Sequence, residues 1–159
     1  MKTIKTEIKW AVIFIVMTLA WMVLELLTGL NDKYISKHEI FTNFIAIPAI
    51  AVYVFALLDK RNNYYNGAMN YKQGFISGLI ITAIITIFSP LTQFITSTII
   101  TPAYFTNVIN YTVETGKMTR DAAEDFFNLK NYIIQGLIGA PVMGIITTAI
   151  VAYFVKRKN

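Results

Sequence analysis

The chain has no cysteine and a single histidine, His38, in 159 residues. The first absence excludes disulfides, thiolate nucleophiles, iron–sulfur clusters and Cys-ligated zinc. The second makes an imidazole-rich metal site impossible within one chain. Charge is scarce as well. Only 14% of residues are Asp, Glu, Lys or Arg, where a soluble domain carries about 25%. The formal net charge is +5, but no basic stripe with interleaved aromatics accompanies it, which sets nucleic acid aside. No segment carries a recognisable catalytic or cofactor-binding motif, so no cofactor is expected.

Apolar sequence is abundant: 55% of residues are hydrophobic. They gather into four long runs, at about 10–30, 40–58, 74–100 and 132–155. A run of about 20 residues at 1.5 Å each crosses the roughly 30 Å hydrocarbon layer as a helix. A soluble fold could not cover four such runs with the polar sequence left over. Within a bilayer every backbone polar group needs an internal partner, so the spans read as α-helices. The first run follows a short basic N-terminus but is too long for a signal peptide, and no small-x-small cleavage site follows it. Pro48 and Pro90 fall inside the second and third runs, and Pro141 inside the fourth. Tilt, or a bend at Pro90, is expected in the long third run.

The segment from Pro102 to Lys130 differs. It holds Glu114, Lys117, Arg120, Asp121, Glu124, Asp125 and Lys130, and Tyr104, Phe105, Val108 and Tyr111 make one apolar face at helical spacing. Pro102 suits a first helical turn, Gly116 an end, and Thr119 a second N-cap ahead of Asp121. An amphipathic helical elbow is therefore expected over about 102–130, with its aromatic face against lipid headgroups or the bundle.

Nine Lys and Arg residues fall on the side holding both termini: Lys2, Lys5, Lys9, Lys60, Arg61, Lys72, Lys156, Arg157 and Lys158. Five fall on the other: Lys33, Lys37, Lys117, Arg120 and Lys130. This bias predicts both termini in the cytoplasm and an extracytoplasmic elbow. Tyr34, Tyr64, Tyr65, Tyr71, Tyr132 and Tyr153 sit near the predicted boundaries, as an aromatic belt requires.

Three constellations are candidates for function. Gly74 and Gly78 open the third span, and Gly136, Ala140 and Gly144 recur every fourth residue in the last. Small residues let two backbones approach closely, within the monomer or between copies. Thr82, Thr86, Ser89, Gln93 and Thr96 follow steps of four and three, so they share one helix face. Such a stripe either lines a hydrated path or bonds back to its own carbonyls. Glu25 is the one acid well inside a predicted span, roughly 8 Å from its end. A carboxylate at that depth is by default a functional hypothesis, as a proton or cation site, with a structural hydrogen bond as the alternative. Thr18, Trp21 and Thr28 share its face. His38 and Glu39 lie in the next loop, where a lone histidine is ordinarily solvated. Asp121, Glu124 and Asp125 fit neither an EF-hand nor a general acid/base pair and read as a solvated helix face.

The tracts WMVLELLTGLND, LLDKRNNYYNGAMNYKQGFISG, SPLTQFI, TPAYFTNVINY and FNLKNYI resemble the bacterial family known as domain of unknown function 4199. The resemblance covers nearly the whole chain and is most specific over Trp21–Asp32 and Tyr104–Tyr132. Some members of that family carry a histidine where this chain has Asn31. The resemblance implies a four-helix protein of a bacterial inner membrane and carries no catalytic residue with it.

The reading is a single all-α domain of four transmembrane helices with an elbow between the third and fourth. Its expected function is non-enzymatic, structural or accessory, with the lipid bilayer and a homo-oligomer or another membrane protein as partners. The alternative is a small oligomeric transporter or channel subunit using Glu25 and the polar stripe.

Overall fold

A computed structural model describes residues 4–157. Lys2 and Lys158, both counted in the charge bias, lie outside the described residues. Seven α-helices, two π turns and one 3₁₀ turn make up the described chain, with no strand among the described residues. Four helical stretches are long and apolar enough to cross a membrane: Lys5–Leu27, Ile35–Tyr64, Tyr71–Ile100 and Leu129–Val155.

Helix α1 (Lys5–Leu27) starts at Lys5 rather than near Trp10. It ends at Gly29, whose φ of +76° suits the left-handed conformation that closes a helix. Leu30 N–H donates to the Glu25 carbonyl and Gly29 N–H to Leu26, each at 3.0 Å. This pair of bonds returns the chain sharply over the last turn of α1.

The second span begins at Ile35. Helix α2 (Ile35–Phe41) runs through a 3₁₀ turn (Thr42–Ile45) into α3 (Ala46–Asp59). Pro48 has no N–H to give the Phe44 carbonyl, and the tightened turn sits just before it. A π turn (Lys60–Tyr64) closes the span.

Helix α4 (Tyr71–Ile95) opens with a reciprocal cap. Asn70 and Gln73 each accept the other's backbone N–H at 2.9 Å. It continues through Pro90 without stopping. The carbonyl that Pro90 leaves without a backbone donor, that of Thr86, accepts the Ser89 hydroxyl at 2.9 Å. A π turn (Thr96–Ile100) follows.

The elbow is two helices, α5 (Tyr104–Glu114) and α6 (Arg120–Phe126). Pro102 lies in the turn before α5 rather than in its first turn. Gly116 at φ +69° ends α5, and the Thr119 side chain caps α6 by accepting from Ala122 N–H. Helix α7 (Leu129–Val155), capped by Asn128, forms the last span.

The closest packing joins antiparallel α4 and α7. Gly78 lies against Thr148, Gly144 against Thr82, and Gly74 against Ala152. Helix α1 packs on α3 and α4, and α3 on α7. The core holds Ala11, Tyr53, Ala56, Leu57, Ile81, Ile85 and Val151. The outer faces invert the rule for soluble proteins: Leu27, Ile87 and Phe154 are 81%, 72% and 78% exposed. Such a surface is at home in hydrocarbon, and the chain is a polytopic membrane protein.

Candidate functional site

Glu25 stands in the last turn of α1 and is only 1% exposed. Three elements fix it. Trp21, one turn back on the same helix face, donates its indole N–H to Oε1 at 2.7 Å. From α2, His38 brings Nε2 to 3.2 Å from Oε2. Thr42, one turn beyond His38, places its hydroxyl beside the same carboxylate. His38 is thus a helical side chain turned into the bundle, not a solvated loop residue as its sequence position suggested. The second span starts earlier than its hydropathy implied, and that carries the imidazole onto the inner face of α2.

The elbow closes over this pair. The Tyr104 ring packs on His38 with centroids 4.9 Å apart, and its hydroxyl lies 3.2 Å from that of Tyr132 on α7. Phe105 stacks edge-on against Tyr132 at 5.1 Å. Burial, with Tyr132 alongside, pushes the Tyr104 phenol above the ordinary tyrosine range. The Asn107 amide on α5 donates to the Asn31 carbonyl at 2.9 Å and ties the elbow to the turn after α1.

His38, Thr42, Tyr104 and Tyr132 form a septum between two cavities. The vestibule, about 550 Å³, lies under the elbow against Val108, Tyr111, Met118 and Phe127. The chamber behind it, about 200 Å³, is lined by Glu25, Asn31, Gln93, Thr96, Ser97 and Thr101. At about 30 Å³ per water the chamber holds a handful of waters or one small molecule. Asn31 is 5% exposed, and its Nδ2 has no hydrogen-bond partner. An unpaired buried amide N–H costs about 1–3 kcal/mol, which makes this corner of the chamber a locally unfavourable one.

Residues 9–157 match the family model described as Protein of unknown function (DUF4199). The chain belongs to that family. No curated protein matches it, and no solved structure does.

In this DUF4199 chain the polar stripe of α4 divides. Thr82 and Thr86 donate to the carbonyls of Gly78 and Thr82, both at 2.9 Å, and Ser89 to that of Thr86. The Thr82 hydroxyl also meets Tyr53 at 2.7 Å. Gln93 and Thr96 instead line the chamber, and Gln93 donates to Ser97 Oγ at 2.8 Å. The small residues Gly74, Gly78 and Gly144 are used by the α4–α7 contact, while a Cβ added at Gly136 would meet Ser89 at an ordinary 3.7 Å. Tyr104, Phe105, Val108 and Tyr111 face the bundle and its vestibule rather than open headgroups.

A second buried acid escaped the sequence reading. Glu7, 2% exposed, binds Lys60 at 2.9 Å and accepts the Ser77 hydroxyl at 2.7 Å. Lys60 also lies 3.8 Å from the Tyr64 ring centroid. Glu7 lies ahead of the apolar run that starts near Trp10, so hydropathy gives no sign of its burial. Among the described residues no group of three His, Asp or Glu could hold a metal ion. The Glu25–His38 pair can hold or share a proton and accept donors from a bound molecule.

Proposed function

We propose that this DUF4199 protein is a non-enzymatic membrane protein of the bacterial cytoplasmic membrane, with both termini inside. In this reading it binds a small polar ligand entering from the elbow side. A polar chamber lined by Asn31, Gln93 and Ser97 beside the buried Glu25 carboxylate carries it. The ligand offers an oxygen acceptor to Asn31 and an ammonium or similar donor to Glu25. Tyr104 and Tyr132 close over it. Ligand-dependent closure of the elbow is how such a protein would act on a membrane partner.

Binding is favoured over conduction by what lies beneath the chamber. There the stripe hydroxyls are spent on their own helix, and Thr82 fills the space at Gly144. A path would need those contacts to part.

Thermal unfolding in lipid nanodiscs tests the reading, with ethanolamine, glycine and acetate as probes. Ethanolamine or glycine should raise the midpoint of the wild type and leave Asn31→Leu and Glu25→Gln unmoved. Equal shifts in all three proteins, or none with any probe, would refute it.

A further inference from the structure

The opposite end of the bundle carries a second pocket, unrelated to the elbow. It measures about 220 Å³ and lies between the starts of α1 and α4, against Ile4, Tyr64, Tyr65, Lys72, Ile76 and Ile80. The start of α1, the end of the second span and the first turns of α4 all contribute to its walls. Lys72 is in the first turn of α4, and Ile76 follows one turn deeper with its side chain exposed to the membrane. Ile4 is also exposed at the mouth. Exposed methyl groups of Ile4 and Ile76 therefore border the pocket, Ile76 within one helical turn of the Lys72 cation.

The charge there is unbalanced. Both acids on this side are matched by lysines, Glu7 by Lys60 and Asp59 by Lys9. The caps of α4 are likewise occupied, because Asn70 and Gln73 bond each other. Among the described residues no carboxylate pairs with Lys72. Its ammonium, which lines the pocket together with Tyr64 and Tyr65, is the uncompensated charge there.

We infer that this pocket seats the headgroup of an anionic phospholipid. The phosphodiester lies at Lys72, and one acyl chain lies along Ile76 and Ile80. The volume, equal to about seven waters, admits a phosphate with its glycerol oxygens. A basic pocket between membrane helices at headgroup depth is chemically suited to that ligand. The buried Glu7–Lys60 pair serves as its floor and holds α1 against the second span so that the pocket stays open.

Native mass spectrometry of protein taken from vesicles of equal phosphatidylglycerol and phosphatidylcholine tests the assignment. The wild type should retain phosphatidylglycerol preferentially. Lys72→Gln, an exposed substitution, should cut that preference about five-fold, the effect of one lysine near an anionic surface. Lys156→Gln, which removes the same charge from an exposed position on the same side outside the pocket, should leave the preference within about two-fold. Equal retention of the two lipids, or equal loss in both variants, would overturn the site. Displacement of the lipid by equimolar inorganic phosphate would also overturn it, giving the pocket to a soluble anion instead. None of these outcomes depends on ligand binding at Asn31.

Discussion

Replacing Gly78 with alanine should destabilise the bundle by about 1–3 kcal/mol, the range for overpacking a well-filled contact. The size follows from the α4–α7 interface. A Cβ built at Gly78 would stand 2.6 Å from Thr148 Oγ1 and 3.0 Å from Thr148 Cβ. Carbon atoms prefer about 3.5–4.0 Å. The closest clashes, with Thr148 Cγ2 and Oγ1, exchange rather than clear when Thr148 rotates, so the helices must separate. Thr148→Ala alone should cost little, because its Oγ1 is buried without a partner and its removal relieves that penalty. The double variant removes the worst clashes while keeping the fold. The two effects should therefore be non-additive, with a coupling of about 1–2 kcal/mol in the stabilising direction. Reversible unfolding in mixed micelles, followed by tryptophan fluorescence of Trp10 and Trp21, measures all four corners of the cycle. Additivity within about 0.5 kcal/mol would refute the contact. A dependence of the coupling on protein concentration would place Gly78 at an interface between copies instead.

Lys60→Met should cost about 3–5 kcal/mol because it strands the Glu7 carboxylate, and pairing it with Glu7→Gln should restore much of the loss in the same unfolding assay. The Tyr104 phenol holds its proton more tightly in the folded state, so its contribution is complete below the unfolded value of about 10 and falls away as pH rises above it. Tyr104→Phe should accordingly weaken the alkaline loss of stability above pH about 10, and an unchanged alkaline slope would contradict the burial of that hydroxyl. The chain has no native cysteine, so single cysteines at Asn66 and Lys117 can be labelled cleanly. An impermeant maleimide added outside intact cells should modify only the Lys117 position, and labelling of Asn66 would reverse the proposed orientation.

The membrane class and the number of spans were legible because hydrocarbon imposes one requirement on every residue of a span. Helix ends were less so. Hydropathy does not register Glu7 or Lys60, since each is neutralised by a partner 53 positions away in sequence. His38 and Thr42 are one helical turn apart, a spacing that could have marked them as one face reaching toward Glu25 had the second span been started at Ile35. The small residues and the upper hydroxyls could be grouped by face, but only the antiparallel docking of α4 and α7 decides which face meets which. Nothing in the sequence marked Asn31 as buried. Its importance comes from the tight return after Gly29 and from the elbow folding back through Asn107, both long-range consequences.

Cysteine accessibility along the third span, Tyr71–Ile100, tests the central claim most directly. A small polar methanethiosulfonate reagent, added from the elbow side to protein in nanodiscs, should modify cysteines at Gln93 and Ser97 in the chamber. It should leave a cysteine at Thr82, packed against Gly144, unreactive. If the Gln93 position resists the reagent, no accessible chamber exists; if Thr82 reacts as fast as Gln93, the stripe is a continuous hydrated path and the protein conducts.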